Sequence, residues 1–171
     1  IVAGTYYIMV FEGNEKVKPC ALASVSSASS YFLGADVTIA DNGSVTTSVN
    51  QNGKPHQLLL GGSADAYTLY DTMDKNYLTL TKNDNKLHVT TAANVKNAQW
   101  TISMNGGVTH IYNNVFTNRE IRFNSGSPRF ACYEGSQQAV YLYRKAVETG
   151  IGSTVAVEGM KVNVYSVTGV A

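Results

Sequence analysis

Gln99-Trp100-Thr101-Ile102-Ser103 contains the only Trp of the chain, and two other segments resemble it. Leu58-Leu59-Leu60 stands 42 positions before Trp100, and Val140-Tyr141-Leu142-Tyr143 places Tyr141 41 positions after it. Each is a short apolar run of strand character. After Leu58 come Tyr67-Thr68-Leu69-Tyr70, Tyr77-Leu78-Thr79-Leu80 and Leu87-His88-Val89-Thr90. After Trp100 come Thr109-His110-Ile111-Tyr112, Glu120-Ile121-Arg122-Phe123 and Arg129-Phe130-Ala131-Cys132. The apolar positions keep step: Leu69 to Leu78 is 9 and Ile111 to Ile121 is 10, while Leu78 to Leu87 and Ile121 to Phe130 are both 9. Turn residues fill the same gaps, Lys82-Asn83-Asp84-Asn85 in one repeat and Asn124-Ser125-Gly126-Ser127 in the other. Self-similarity at a fixed period marks a repeat architecture.

The first repeat is less regular. Gly4 leads into the strand Thr5–Phe11, Gly13-Asn14-Glu15-Lys16 is a turn, and Pro19 opens Cys20-Ala21-Leu22-Ala23. Tyr31 to Ala40 has strand character, and Asp41-Asn42-Gly43 reads as a hairpin turn before Val45. Matching Ile8 to Leu69, Leu22 to Leu78 and Val45 to Leu87 places an insertion of about one hairpin between Ser24 and Asn42. This repeat lacks its own opening strand, and Val140–Tyr143 is one strand over at the other end. Pairing the two ends would close the sheet and remove its edges. Four strands in each of three repeats is the plan of an all-β, antiparallel β-trefoil-like barrel with a short β tail. Its expected core is Trp100, Ile102, Leu58, Leu60, Ile8, Leu69, Ile111, Leu78, Ile121 and Phe130. The barrel module spans residues 1–146. Residues 147–171 form a linker and the start of a further β domain.

Composition bounds the function. The chain has 171 residues, 15% charged, with 11 Tyr and a net charge of +1. The low charge and the wealth of Thr, Ser, Asn and Gly suit an all-β extracellular protein. A nearly neutral chain lacks the concentrated basic surface that nucleic acid requires. No run approaches the roughly 18 apolar residues of a membrane helix. The chain begins at Ile1 and not at Met, in keeping with an upstream leader or domain. Cys20 and Cys132 are too few for a disulfide framework and too far apart for a zinc motif. Two buried thiols are the first reading and a long-range disulfide the second.

Nothing in the chain demands catalysis. His56, His88 and His110 lie on different strands, with no Cys or carboxylate at metal-ligand spacing beside them. No Ser stands in a Gly-x-Ser-x-Gly elbow. Gly61-Gly62 and Gly106-Gly107 occupy turns without a phosphate-loop pattern. Asp71 and Asp74 suit a turn for local hydrogen bonds. The expectation is therefore no enzyme, no cofactor and no metal. Strand alternation points Tyr77, Ala131 and Tyr133 outward if Leu78 and Phe130 point inward. Arg122, Asn124 and Arg129 lie nearby in the third repeat. Aromatic faces beside Arg and Asn suit sugar rings, whose C–H faces pack on aromatics while their hydroxyls take hydrogen bonds. Tyr77, Arg122, Asn124, Arg129 and Tyr133 are thus the candidate ligand-binding residues, for a glycan or a surface protein. The same tyrosines could instead cover the barrel wall or a domain interface.

Two resemblances sharpen this. Asn124–Tyr133 followed by Val140–Lys145, together with Gly4-Thr5-Tyr6-Tyr7-Ile8 and Trp100-Thr101-Ile102-Ser103, resembles a β-barrel accessory module of large secreted multidomain proteins of Bacteroidetes. Val162-Asn163-Val164-Tyr165-Ser166-Val167-Thr168-Gly169 resembles the opening of the C-terminal sorting domain used in type IX secretion, cut short here. The resemblances imply a secreted or outer-surface location and neighbouring domains in a longer chain. Three roles follow: a non-catalytic, carbohydrate-binding module; a structural spacer or protein-interaction domain; or a protease inhibitor acting through the Ser24–Ser30 loop.

Overall fold

A computed structural model describes residues 1–145 and 164–166. Its strands are β1 (Tyr6–Phe11), β2 (Cys20–Val25), β3 (Phe32–Ile39), β4 (Val45–Thr47), β5 (Leu58–Ser63), β6 (Ala66–Asp71), β7 (Asn76–Thr79), β8 (His88–Thr90), β9 (Trp100–Asn105), β10 (Val108–Asn113), β11 (Glu120–Asn124), β12 (Arg129–Tyr133), β13 (Tyr141–Lys145) and β14 (Val164–Ser166). Among the described residues a single 3-10 turn, Lys96–Ala98, precedes β9.

Register shows the threefold plan. Leu60 faces Leu69 across β5–β6, Ile102 faces Ile111 across β9–β10, and Leu142 faces Met9 across β13–β1. β13 therefore opens the first repeat, as the strand count predicts, with Tyr7 to Val10 paired to Arg144 to Tyr141. The next hairpins repeat the pattern: Leu78 faces Val89, Ile121 faces Cys132 and Leu22 faces Gly34. The innermost side chains of the cap are Phe32, Leu87 and Phe130, all fully buried. Their strands meet through Phe130↔Phe32, Leu87 N–H to the Ser30 carbonyl and Cys132 N–H to the Lys86 carbonyl. This is a β-trefoil arrangement: three four-stranded units around one core of large aliphatic and aromatic side chains, with Trp100 wholly enclosed. The Trp100 indole N–H donates to the Leu78 carbonyl at 3.1 Å, so its one polar atom is satisfied.

Three sequence expectations need correction. Met9, not Ile8, is the counterpart of Leu69, because β1 pairs with β13 in the register that turns Met9 inward. Phe32, not Val45, is the counterpart of Leu87. The β2–β3 connection is short, with a register shift between Leu22 and Val25 that accounts for one extra residue. The insertion starts later than Ser24 and runs past Asn42: it is the far half of β3 together with β4, paired through Val37↔Thr47 and Ile39↔Val45. The Asp41–Gly43 turn is a three-residue loop closed by Ala40 and Ser44, with Gly43 in the left-handed region at φ 78°. Of the other expected core residues, Ile102 is only half-buried at the core's edge and the rest are buried together.

Ile8 belongs to a second cluster, with Val10, Ala21, Val37, Val45 and Tyr143 buried and Ile39 and Tyr141 packed against them. β1 is thus apolar on both faces: Tyr7, Met9 and Phe11 enter the trefoil core, while Ile8 and Val10 enter the other. β13 divides likewise, with Leu142 on one side and Tyr141 and Tyr143 on the other. An unbroken apolar run such as Tyr6–Phe11 is what a strand covered on both sides requires.

Turn chemistry is local and legible. Gly106 and Gly107, at φ 57° and 80°, form the two-residue β9–β10 hairpin, which needs positive φ at both positions. Gly61 and Gly62 lie in β5 and not in a turn, since Gly62 pairs with Tyr67.

Candidate functional site

The β11–β12 hairpin and its flanks hold the densest polar organisation. Arg119, almost enclosed, reaches back to the β7–β8 turn of the preceding repeat. Its Nε donates to Asn83 Oδ1 at 2.6 Å, its Nη1 to Asn85 Oδ1 at 2.5 Å and its Nη2 to the Asn83 carbonyl at 3.2 Å. Nη2 also lies 2.9 Å from Glu134 Oε1, which accepts from Asn118 Nδ2 as well. A planar guanidinium satisfies several acceptors in one plane, so these contacts fix its orientation. Beside it opens a cleft of about 320 Å³ lined by Asn85, Arg119, Tyr133, Glu134, Gly135, Ser136 and Gln137.

The back of this cleft is tied down by a second network. Glu120, buried, faces Tyr133 across the ladder. Its Oε1 lies 2.8 Å from His110 Nδ1, and its Oε2 accepts from Arg122 Nε at 2.8 Å and from Nη2 at 2.6 Å. Arg122 Nη1 donates on to the Gln137 carbonyl at 3.1 Å. Paired hydrogen bonds between Phe123 and Gln138 pin the same segment. A buried carboxylate requires such partners. The result is a stiff polar rim with an aromatic ring in its wall.

The five sequence candidates do not form one site. Tyr133 lines the cleft, and Arg122 supports its rim through Gln137. Asn124 and Arg129 face each other at the far end of the hairpin, roughly 13 Å along the strand from Glu120. Asn124 Oδ1 accepts from the N–H groups of Gly126 and Ser127, which shapes the turn. Arg129 lies 4.7 Å over the Tyr31 ring and donates to the Ser127 carbonyl and hydroxyl. Tyr77 sits in the second repeat with its ring 4.9 Å from that of Tyr70. The outward alternation expected at β12 also fails: Ala131 and Tyr133 are buried along with Phe130 and Cys132. All four belong to the same core cluster. Sequence reasoning missed Arg119, Glu120 and Glu134. The amide-rich Lys82–Asn85 turn was visible in the chain, but only folding brings it to an arginine 34 to 36 positions away.

One cluster has the composition of a metal ligand set: His56, Asp71 and Asp74 place their donor atoms within 4.8 Å of one another. Its geometry is that of a brace. Asp71 Oδ2 lies 2.7 Å from His56 Nδ1, and Asp71 Oδ1 accepts from the N–H groups of Met73 and Asp74. Asn113, at the equivalent place in the third repeat, does the same work with Val115, Phe116 and the Asn97 carbonyl. The pairing of His56 with Asp71 was not legible in their spacing.

Both cysteines are buried and free. Burial, with a smaller contribution from the Asp36 charge, pushes the Cys20 thiol up to about 12. Burial raises Cys132 further still, against the opposing pull of Arg119. Neither is a nucleophile at neutral pH.

No family model and no curated protein matches this chain. Solved structures do match its fold. The Polyporus squamosus lectin, described in complex with Neu5Acα2-6Galβ1-4GlcNAc, aligns with TM-score 0.60 and 15% identity over 84% of this chain and 50% of the lectin. A GlcNAcα1-4Gal-releasing endo-β-galactosidase from Clostridium perfringens aligns with TM-score 0.60 and 12% identity over 82% of this chain and 32% of the enzyme. The ricin B-like lectin of Macrolepiota procera, described with lactose, aligns with TM-score 0.53 and 15% identity over 83% of this chain and 96% of that one. The chain thus spans about half the length of the first lectin and a third of the galactosidase. At these identities the likeness shows the β-trefoil fold.

Proposed function

We propose that this chain is a non-catalytic carbohydrate-binding module and that the Arg119–Tyr133 cleft takes the sugar. The observation that carries this is the cleft's wall, in which a tyrosine stands beside Asn85, Gln137 and an orientated arginine–glutamate pair. Sugar hydroxyls donate and accept together, and this polar wall offers both kinds of group. The fold supports the reading, since trefoils described with bound saccharides share it. Tyr77, Asn124 and Arg129 would then lie outside the primary contact, with Arg122 as a positioning residue. The resemblance to Bacteroidetes accessory modules supports a setting in a secreted or outer-surface multidomain protein. There residues 1–146 form the module and 147–171 a linker and sorting-type tail, whose strand β14 pairs with the module's sheet.

A glycan array probed with the whole chain tests this. Expected is a restricted set of bound glycans, with Gln137→Ala weakening binding about tenfold, equivalent to 1.4 kcal/mol. Tyr133→Ala should abolish it, with a thermal melt of each variant as the folding control. Full binding by Gln137→Ala and Tyr133→Ala would move the site elsewhere. No glycan bound at all would defeat the reading and favour a spacer or protein-interaction domain.

A further inference from the structure

Six strands of this molecule close a second ring. β1 pairs with β2, β2 with β3, β3 with β4, β4 with β14, β14 with β13, and β13 again with β1. Its interior is the second apolar cluster, to which β1 gives Ile8 and Val10, β2 Ala21, β3 Val37 and Ile39, β4 Val45, and β13 Tyr141 and Tyr143. Among the described residues, the two ladders made by β14 are the parallel ones, Arg144↔Val164 with Lys145↔Tyr165 and Tyr165↔Val45 with Ser166↔Thr46. Eighteen residues separate β13 from β14, enough for the crossover of a dozen or more that parallel neighbours need.

β14 lies outside the threefold plan of the trefoil, and without it the ring opens at two edges. Those edges, at Val45–Thr46 and Arg144–Lys145, would present unpaired backbone groups beside an apolar interior. We propose that the gap between β4 and β13 is a strand-acceptor slot and that its occupant is Val164–Ser166 of the same chain, held as a separable strand by β-augmentation. The three four-stranded units of the trefoil are built from other strands: β13 with β1–β3, β5–β8, and β9–β12. With 18 residues between β13 and β14, the occupant is held at high effective concentration, so the slot stays filled in cis.

The test uses the whole chain with Tyr165→Pro, because a proline cannot serve a ladder on both sides of a strand. Hydrogen exchange is followed at Val45–Thr47 and Arg144–Lys145, with Trp100 fluorescence reporting the trefoil. Expected is at least tenfold faster exchange at both edges in Tyr165→Pro, unchanged in Tyr165→Phe, with the Trp100 signal kept in both. A synthetic peptide of residues 160–171 should restore slow exchange to Tyr165→Pro and leave the wild type unaffected. Equal exchange in wild type and Tyr165→Pro would overturn the proposal, as would failure of the peptide to restore it or loss of the Trp100 signal with the strand. Edge protection that appears only with a concentration-dependent dimer would assign the slot to the strand of a second copy and overturn the cis occupant.

Discussion

Trp100 concentrates the energetics of the core in one side chain. It is fully buried, and its indole N–H is bonded to the Leu78 carbonyl. Trp100→Ala should cost about 3–5 kcal/mol by denaturant unfolding, as a large-to-small core change; a cost under about 1 would place the ring at the periphery. The two thiols give a chemical check on the same core. With Cys20 pushed up to about 12 and Cys132 higher, both are neutral and shielded at pH 8. A thiol reagent should therefore label neither in the native protein and both after unfolding; fast native labelling of Cys132 would contradict its burial. His88 gives a pH signature. Burial lowers its pKa from 6.5, outweighing the opposing attraction of Asp84, and Lys86 and Lys82 add smaller downward contributions. The folded state then binds fewer protons than the unfolded state. Its contribution is complete above about pH 6.5 and lost as pH falls through that value toward the lower folded one. Tm measured from pH 7.5 to 5 should fall less in His88→Gln than in the wild type.

The hairpins discriminate between two kinds of glycine. Gly62 has φ 77°, and a Cβ there would stand 2.1 Å from the Ala66 carbonyl oxygen, which the β5–β6 ladder holds in place. Gly107 has φ 80°, but a Cβ there meets nothing within 4 Å. Gly107→Ala should thus cost only the left-handed backbone penalty of about 1–2 kcal/mol. Gly62→Ala adds a backbone clash and should cost clearly more, about 3 kcal/mol or above. Paired chemical denaturation of the two variants checks this, and equal losses would mean that the β5–β6 ladder yields easily. At the same level, Asp71 and Asn113 show how a polar side chain can recur at one buried place of a repeat. Each caps the turn that follows its strand.

Closure by the last strand of the trefoil makes residues far apart in the chain one cooperative unit. β13 completes the first repeat against β1, and Leu142 and Val140 lie in the common core. Truncation after Ala139 should unfold the entire trefoil, whereas truncation after Ala146 should leave Trp100 enclosed and the thermal transition cooperative. Retention of a native melt by the shorter chain would mean that the barrel is sealed without β13.

The repeat period, the strand count and the need for β13 to meet β1 were all legible in the chain, because each innermost side chain is held by neighbours at short, regular spacing. The turn residues were legible for the same local reason. The side that each residue of Tyr6–Phe11 faces was not: a strand apolar on both faces carries no alternation, so Ile8 and Met9 look alike until the ladder to β13 sets the register. Nor did composition announce a second ring, since Val45 reads as well in one core as in the other. The cleft was half visible, through Tyr133 and Arg122. Its other half depends on Arg119 meeting Asn83 and Asn85, and on Glu120 meeting His110 and Arg122. Contacts between repeats follow from how the three units pack about their axis, and spacing along the chain carries no record of that packing.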